Sequence, residues 1–188
     1  MLKRAEWILK QQAADRARPP PRRFVGGESV PYRGRDVPIA VERSDVKEVT
    51  LRFNRWTFEI GVPPAISEAD RRDQIVQLLE RWFRARAEER IVARVEHWSS
   101  VIGHHPRQVL IRNQRRRWGS CGGDGTLRLN WRLILAPPAL LDYVVVHELA
   151  HLAVRDHSAA FWSEVARVMP DHRERRSALR ALGPSLTL

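Results

Sequence analysis

Five consecutive residues constrain this chain more than any others: His147-Glu148-Leu149-Ala150-His151, with His157 six positions further on. On a helix, side chains four apart stand on one face, one turn above the other. The two imidazoles can therefore converge on a single metal ion while Glu148 points beside it. A zinc peptidase needs that arrangement, provided the segment is helical. The approach to it reads as a helix. Pro137-Pro138 suits a first turn, where the missing N–H of proline has no intrahelical partner, and Asp142 lies near the end at which the helix dipole favours an anion. Leu140, Leu141, Val144, Val145, Leu149 and Leu152 make the helix apolar round most of its circumference, which predicts burial. Buried polar side chains need partners, and a metal with a coordinated water would satisfy all three.

The rest of the chain must supply a scaffold. Its 188 residues suit one domain, and 43% hydrophobic residues with seven tryptophans exclude global disorder. No apolar run is long enough to span a membrane, and Lys3, Arg4, Glu6 and Lys10 break up the apolar core that a signal peptide requires. With one cysteine, Cys121, no internal disulfide can form. The chain reads as a soluble cytoplasmic protein. Its net charge of +11 favours anionic partners, nucleic acid among them. That reading is discounted because only Lys3, Lys10 and Lys47 are lysines among the 33 basic residues, a skew that base composition alone can produce.

In chain order, residues 1–23 are read as a short helix followed by a Pro/Arg-rich linker, and 24–188 as the domain proper. Residues 24–64 carry strand signals: Val37 to Val41, then a hairpin in which Val49, Leu51 and Phe53 alternate, Asn54-Arg55 turns, and Trp56, Phe58 and Ile60 alternate again. Ser67 caps a long amphipathic helix over 67–103, one helix or two with a bend, whose aromatic residues are read as core packing. Over 107–135 two strands are expected, one from Val109 through Cys121 and one from Thr126 through Leu135, joined at Gly122-Gly123-Asp124-Gly125. Metal-site helices follow over 137–182. Arg115 to Arg117 could contact phosphate or protect a strand edge. Arg128, Asn130 and Arg132 lie on a strand that could receive an extended substrate at a sheet edge. His97, His104, His105 and His172 are read as surface residues.

The ordered run Arg116-Arg117-Trp118-Gly119-Ser120-Cys121, Gly125 to Ile134, Pro137-Pro138, Asp142 to Leu152, His157-Ser158, Phe161-Trp162 and Met169-Pro170-Asp171 resembles the YgjP-like metallopeptidases, relatives of the SprT-like and WLM groups. The match is strongest over about the last eighty residues. The resemblance implies an α+β, zincin-like fold: a small sheet packed on a long helix and on the metal-binding helix. It also implies Zn2+ held by His147, His151 and His157, with Glu148 as catalytic base. Two departures stand out. Val154 occupies the place where metzincins carry glycine, leaving the path from His151 to His157 open. The chain also begins almost at Trp7-Ile8-Leu9, where the family usually has additional β-structure, so one sheet edge is expected to lack a partner.

Three histidine ligands would leave a fourth position for water, which Glu148 could deprotonate. Peptide or unfolded protein is the expected substrate. The alternatives are a zinc hydrolase of an anionic non-peptide such as a nucleotide, a DNA-associated protease like the SprT-like relatives, and a structural zinc site closed by Cys121. Glu164 rivals His157 as third ligand. Asp142 and Asp156 could accept from ligand N–H groups, Tyr143 is read as a packed residue, and no oxyanion donor is assigned.

Overall fold

The computed structural model describes residues 22–114 and 116–188. The expected helix over 1–17, most of the linker after it and Arg115 lie outside the described residues. Strands β1 (Ser29–Tyr32), β2 (Arg35–Arg43), β3 (Thr50–Phe53) and β4 (Phe58–Val62) precede one long helix, α1 (Glu68–Ile102). Then come β5 (Gln108–Arg112), β6 (Gly119–Cys121), β7 (Thr126–Asn130) and helices α2 (Pro138–Ala150), α3 (Ala159–Val168) and α4 (His172–Leu182). The molecule is thus α+β, with two small sheets laid on a long helix.

Helix α1 runs 35 residues without interruption, about 50 Å at 1.5 Å per residue. Ser67 accepts a hydrogen bond from Asp70 N at its start, and Gly103, at φ 85°, closes its end. Its buried residues, Ile75, Leu79, Phe83, Ala87, Ile91, Val95, Ser99 and Ile102, recur every three or four positions and form a single stripe. Phe83 leaves that stripe to stack against Trp131, ring centroids 6.3 Å apart. Phe58 and Trp82 meet it edge to face and Tyr32 meets it at a tilt, while Phe53 packs on Tyr32 and Trp82 behind them. The aromatic residues of α1 are therefore core, as expected.

The first sheet has the order β1-β2-β4-β3, and the β3–β4 hairpin pairs Phe53 with Phe58. Trp56 departs from the expected inward alternation and is 72% exposed. Asn54 Oδ1 captures the amides of Trp56 and Thr57 at 3.0 and 2.9 Å, which curls the chain into a turn before β4 begins.

The second sheet corrects the sequence reading of 107–135. The expected first strand is two separate strands, β5 and β6, which flank β7 on opposite sides, β5 parallel and β6 antiparallel. The expected second strand stops at Asn130, whose side chain accepts from Arg132 N and caps a 3-10 turn over Trp131–Ile134. The two sheets are clipped together. At the β1–β2 turn, Arg33 N donates to Ile134 O at 2.9 Å and Gly34 N to Leu135 O at 3.0 Å. Gly34 has φ 76°, and a Cβ there would lie 2.6 Å from Pro137 Cγ, so the clip also fixes where α2 starts. Arg94 of α1 grips Asp142 of α2 with two bonds of 2.6 and 3.0 Å, which sets the rotation of the metal-motif helix. Asp142 is thereby committed to Arg94, not to a histidine.

Candidate metal centre

Helix α2 is apolar on nearly every side, with Val145, Val146, Leu149 and Ala150 fully buried. His147 and His151 therefore emerge toward the one side that the core leaves open. After His151 the chain turns without glycine: Val154 N donates to Ala150 O at 3.0 Å, and Val154 is not among the described residues with positive φ. The Val154 carbonyl oxygen accepts from His151 Nδ1 at 3.0 Å, so the same residue that makes the turn also orients the imidazole. Arg155 ties the turn to the β6–β7 connection by donating to Gly122 O at 2.8 Å. The path from His151 to His157 is thus settled by backbone and side-chain bonds that Val154 and Arg155 supply.

One ring nitrogen from each of His147, His151 and His157 lies within 4.8 Å of the others. The Nε2 atoms of His147 and His157 are 3.1 Å apart. Two nitrogens held roughly 2.0–2.1 Å from one tetrahedral ion are separated by about 3.3 Å, so this donor set fits a metal. Burial pushes the His147 imidazole down to about 3, with the neighbouring His151 and His157 adding to the effect, so it is neutral at physiological pH. Burial lowers His151 as well. Neutral imidazole is the ligating form. Phe161 of α3 stacks on His151 at 4.4 Å, and Trp162 stands 5.9 Å from His147, giving the cluster an aromatic wall.

Glu148, 6% exposed, points beside the cluster. Burial pushes its carboxyl up to about 7, against the opposing pull of the Arg117 guanidinium. Strand β6 passes so close that a Cβ on Gly119 would lie 2.7 Å from both Cγ and Oε1 of Glu148. The other residues singled out in the sequence are distributed unevenly. Glu164 is held by Arg167 at 2.7 Å and His104 at 3.1 Å, and it does not join the histidine cluster. His104 is therefore half-buried with an acidic neighbour, contrary to the surface reading. His172 is buried too, stacked on Trp162 at 5.6 Å. Asp156 accepts from Ser158 N at 3.2 Å.

Of the residues expected to meet substrate, Arg117 is near enough to bias Glu148, while β7 is the central strand and offers no free edge. Asn130 is buried and bonds the carbonyls of Gln114 and Arg117 at 2.7 and 3.3 Å. Arg128 pairs across to Ser120, and Arg132 lies 4.5 Å over the Trp131 ring. The edge strands are β5 and β6, and β6 is the one that passes beside Glu148. Trp118 O and Gly122 N both bond toward β7, so the alternation of an antiparallel ladder turns the amides of Gly119 and Cys121 outward. Sequence reasoning missed Gly119, Phe161 and Trp162 as shapers of the site. Their only signal was membership in the ordered motif run.

A family model described as YgjP-like, metallopeptidase domain, matches residues 1–182. Among solved structures, the zymogen of the metallopeptidase abylysin from Pyrococcus abyssi is 25% identical, with a TM-score of 0.45, over 52% of this chain and 99% of that one. The zymogen of jannalysin from Methanocaldococcus jannaschii is 20% identical, with a TM-score of 0.44, over 48% of this chain and 94% of its own. No curated protein matches. No helix among the described residues is long and apolar enough to cross a membrane. Matched from residue 1 to residue 182, the chain belongs to the YgjP-like family through its metallopeptidase domain and is a metallopeptidase.

Proposed function

We propose that the chain is a zinc peptidase in which His147, His151 and His157 hold the ion and Glu148 carries the proton. The carrying observation is the convergence of three imidazole nitrogens within 4.8 Å beside a buried carboxyl. Zinc bound there would lower the pKa of a coordinated water toward about 7 and polarise the scissile carbonyl. The side chains do the rest. His151 is held by Val154 O, which leaves its Nε2 facing the cluster. Glu148, poised at about 7, takes a proton at its carboxylate oxygen at neutral pH and gives it up to the leaving amine nitrogen. Phe161 and Trp162 exclude water from one side of the cluster. An extended peptide can pair with the outward amides of Gly119 and Cys121, which would bring its backbone past Glu148.

The test is digestion of an unfolded model protein by the zinc-loaded chain and by Glu148→Gln. Cleavage is expected from the first, and loss of about 10²–10⁴-fold from the second, with bound zinc unchanged. Equal cleavage by both would remove Glu148 from the reaction.

A further inference from the structure

A cavity of about 240 Å³ opens beside the site, between α2, β6 and α4, and its wall includes Trp118, Tyr143, Glu148, Arg176, Leu179 and Arg180. It is smaller than the roughly 300–1,000 Å³ pockets that take drug-sized ligands, which suits a single side chain. Its charge is unbalanced. Arg176 and Arg180 stand one turn apart on one face of α4. Among the described residues neither has a carboxylate partner, whereas arginines on the same and neighbouring helices do: Arg175 with Asp171 at 2.8 Å, Arg167 with Glu164 at 2.7 Å, Arg94 with Asp142 at 2.6 Å. Arg176 lies 4.9 Å over the Trp162 ring, which steadies it at the rim. Both guanidinium groups are close enough to act on the Tyr143 hydroxyl, itself a donor without a hydrogen-bond partner among the described residues. The one acid on the wall is Glu148, whose charge neighbour is Arg117.

We propose that this cavity is a carboxylate-selecting subsite for the residue on the amine side of the scissile bond, with Arg176 and Arg180 as the selecting pair. The inference rests on the peptidase reading above. Glu148 must face the leaving amine to return the proton, so a cavity bordered by Glu148 lies beside the residue that bears that amine. Two guanidinium groups, a phenol and an apolar wall then receive the carboxylate and stem of Asp or Glu, or the C-terminal carboxylate of a chain cut before its last residue.

Two measurements separate this inference from the reading it rests on. The zinc-loaded enzyme is given an unfolded model protein, and the cuts are mapped by mass spectrometry. In parallel, zinc-loaded Glu148→Gln is titrated by fluorescence anisotropy with labelled peptides that differ only in Glu or Gln, each with a free or an amidated C-terminus. We expect cuts enriched before Asp or Glu, and at least about tenfold tighter binding of the acidic peptide. Arg176→Glu combined with Arg180→Glu should move the preference toward Lys and Arg. Arg180→Gln alone, at an exposed position, should weaken it and guards against misfolding of the double variant. Selectivity that vanishes on amidation assigns the subsite to the C-terminal carboxylate; selectivity that persists assigns it to the side chain. Cutting without acidic preference, or a preference untouched by both variants, overturns the subsite and leaves the peptidase standing. Acid-selective binding with no cutting by the zinc-loaded wild type does the reverse.

Discussion

Glu148 shows at the scale of one residue how the site and the stability of the fold pull against each other. The folded protein holds its carboxyl at about 7, while an unfolded chain would release the same proton near its ordinary value of 4.5. The native state is therefore the more protonated of the two between those values. The contribution to stability is complete below about pH 4.5 and is lost as pH rises through about 7, because a buried carboxylate must then be carried without water. For the metal-free protein, Glu148→Gln is expected to gain stability relative to wild type by about 1.4 kcal/mol per pH unit over that window, reaching about 3 kcal/mol. Urea denaturation of both proteins in the presence of chelator, at pH 4.5 and pH 7.5, measures the difference. A constant gap across the two pH values would mean that Glu148 is solvated in the folded state. The motif made Glu148 legible in the sequence. Its burial was legible only in part, since the apolar circumference of the helix announced a buried element without saying what lies over each side chain.

What lies over Glu148 is an element the sequence hid. Residues 109–121 read as one strand because Val109 and Ile111 alternate and no proline or glycine pair interrupts the chain before Gly122-Gly123. In the fold, β5 ends at Arg112 and β6 begins at Gly119, and the two lie on opposite sides of β7 as its neighbours. Periodicity reports that a segment is extended and which face it buries, but it does not say which strand lies beside which. The helical character of α1 was legible in its three-and-four spacing, which fits one long helix or two with a bend; the fold makes it one of 35 residues. Three residues of β6 carry no such weight. Yet β6 sets the geometry of the site, since Gly119 leaves room for Glu148 only by lacking a side chain. Gly119→Ala is expected to push the carboxylate aside and to lower peptide cleavage by about 10²-fold, the usual consequence of displacing a reacting group by about 1 Å. Zinc content should not change, because the three histidines are untouched. Full cleavage by Gly119→Ala would show that Glu148 can reach its task from a second position.

Across the whole molecule, the three histidines come from two kinds of structure, so a metal held by all three would tie them together. His147 rides on α2 and His151 caps its end, and Arg94 and the Gly34 clip fix that helix to the core. His157 sits in the exposed connection to α3 and is held to the rest by Arg155 and the aromatic contacts of Phe161 and Trp162. An ion that binds this set only when the chain is folded stabilises the fold by mass action, about 2.7 kcal/mol at a hundred times its Kd. For a chain of this size that corresponds to roughly 5–10 °C in Tm. Chelation is expected to remove that increment. His157→Ala should abolish it, because two imidazoles on one helix no longer bridge the connection. Glu164→Ala should keep it while lowering Tm at every zinc concentration, since Glu164 serves the His104 and Arg167 contacts between the end of α1 and α3. Melting curves of the three proteins with and without zinc decide between the two candidate third ligands without any need for a substrate. If Glu164→Ala loses the zinc-dependent rise and His157→Ala keeps it, the ion is held in the other way, and the connection that carries His157 is free to move during the reaction.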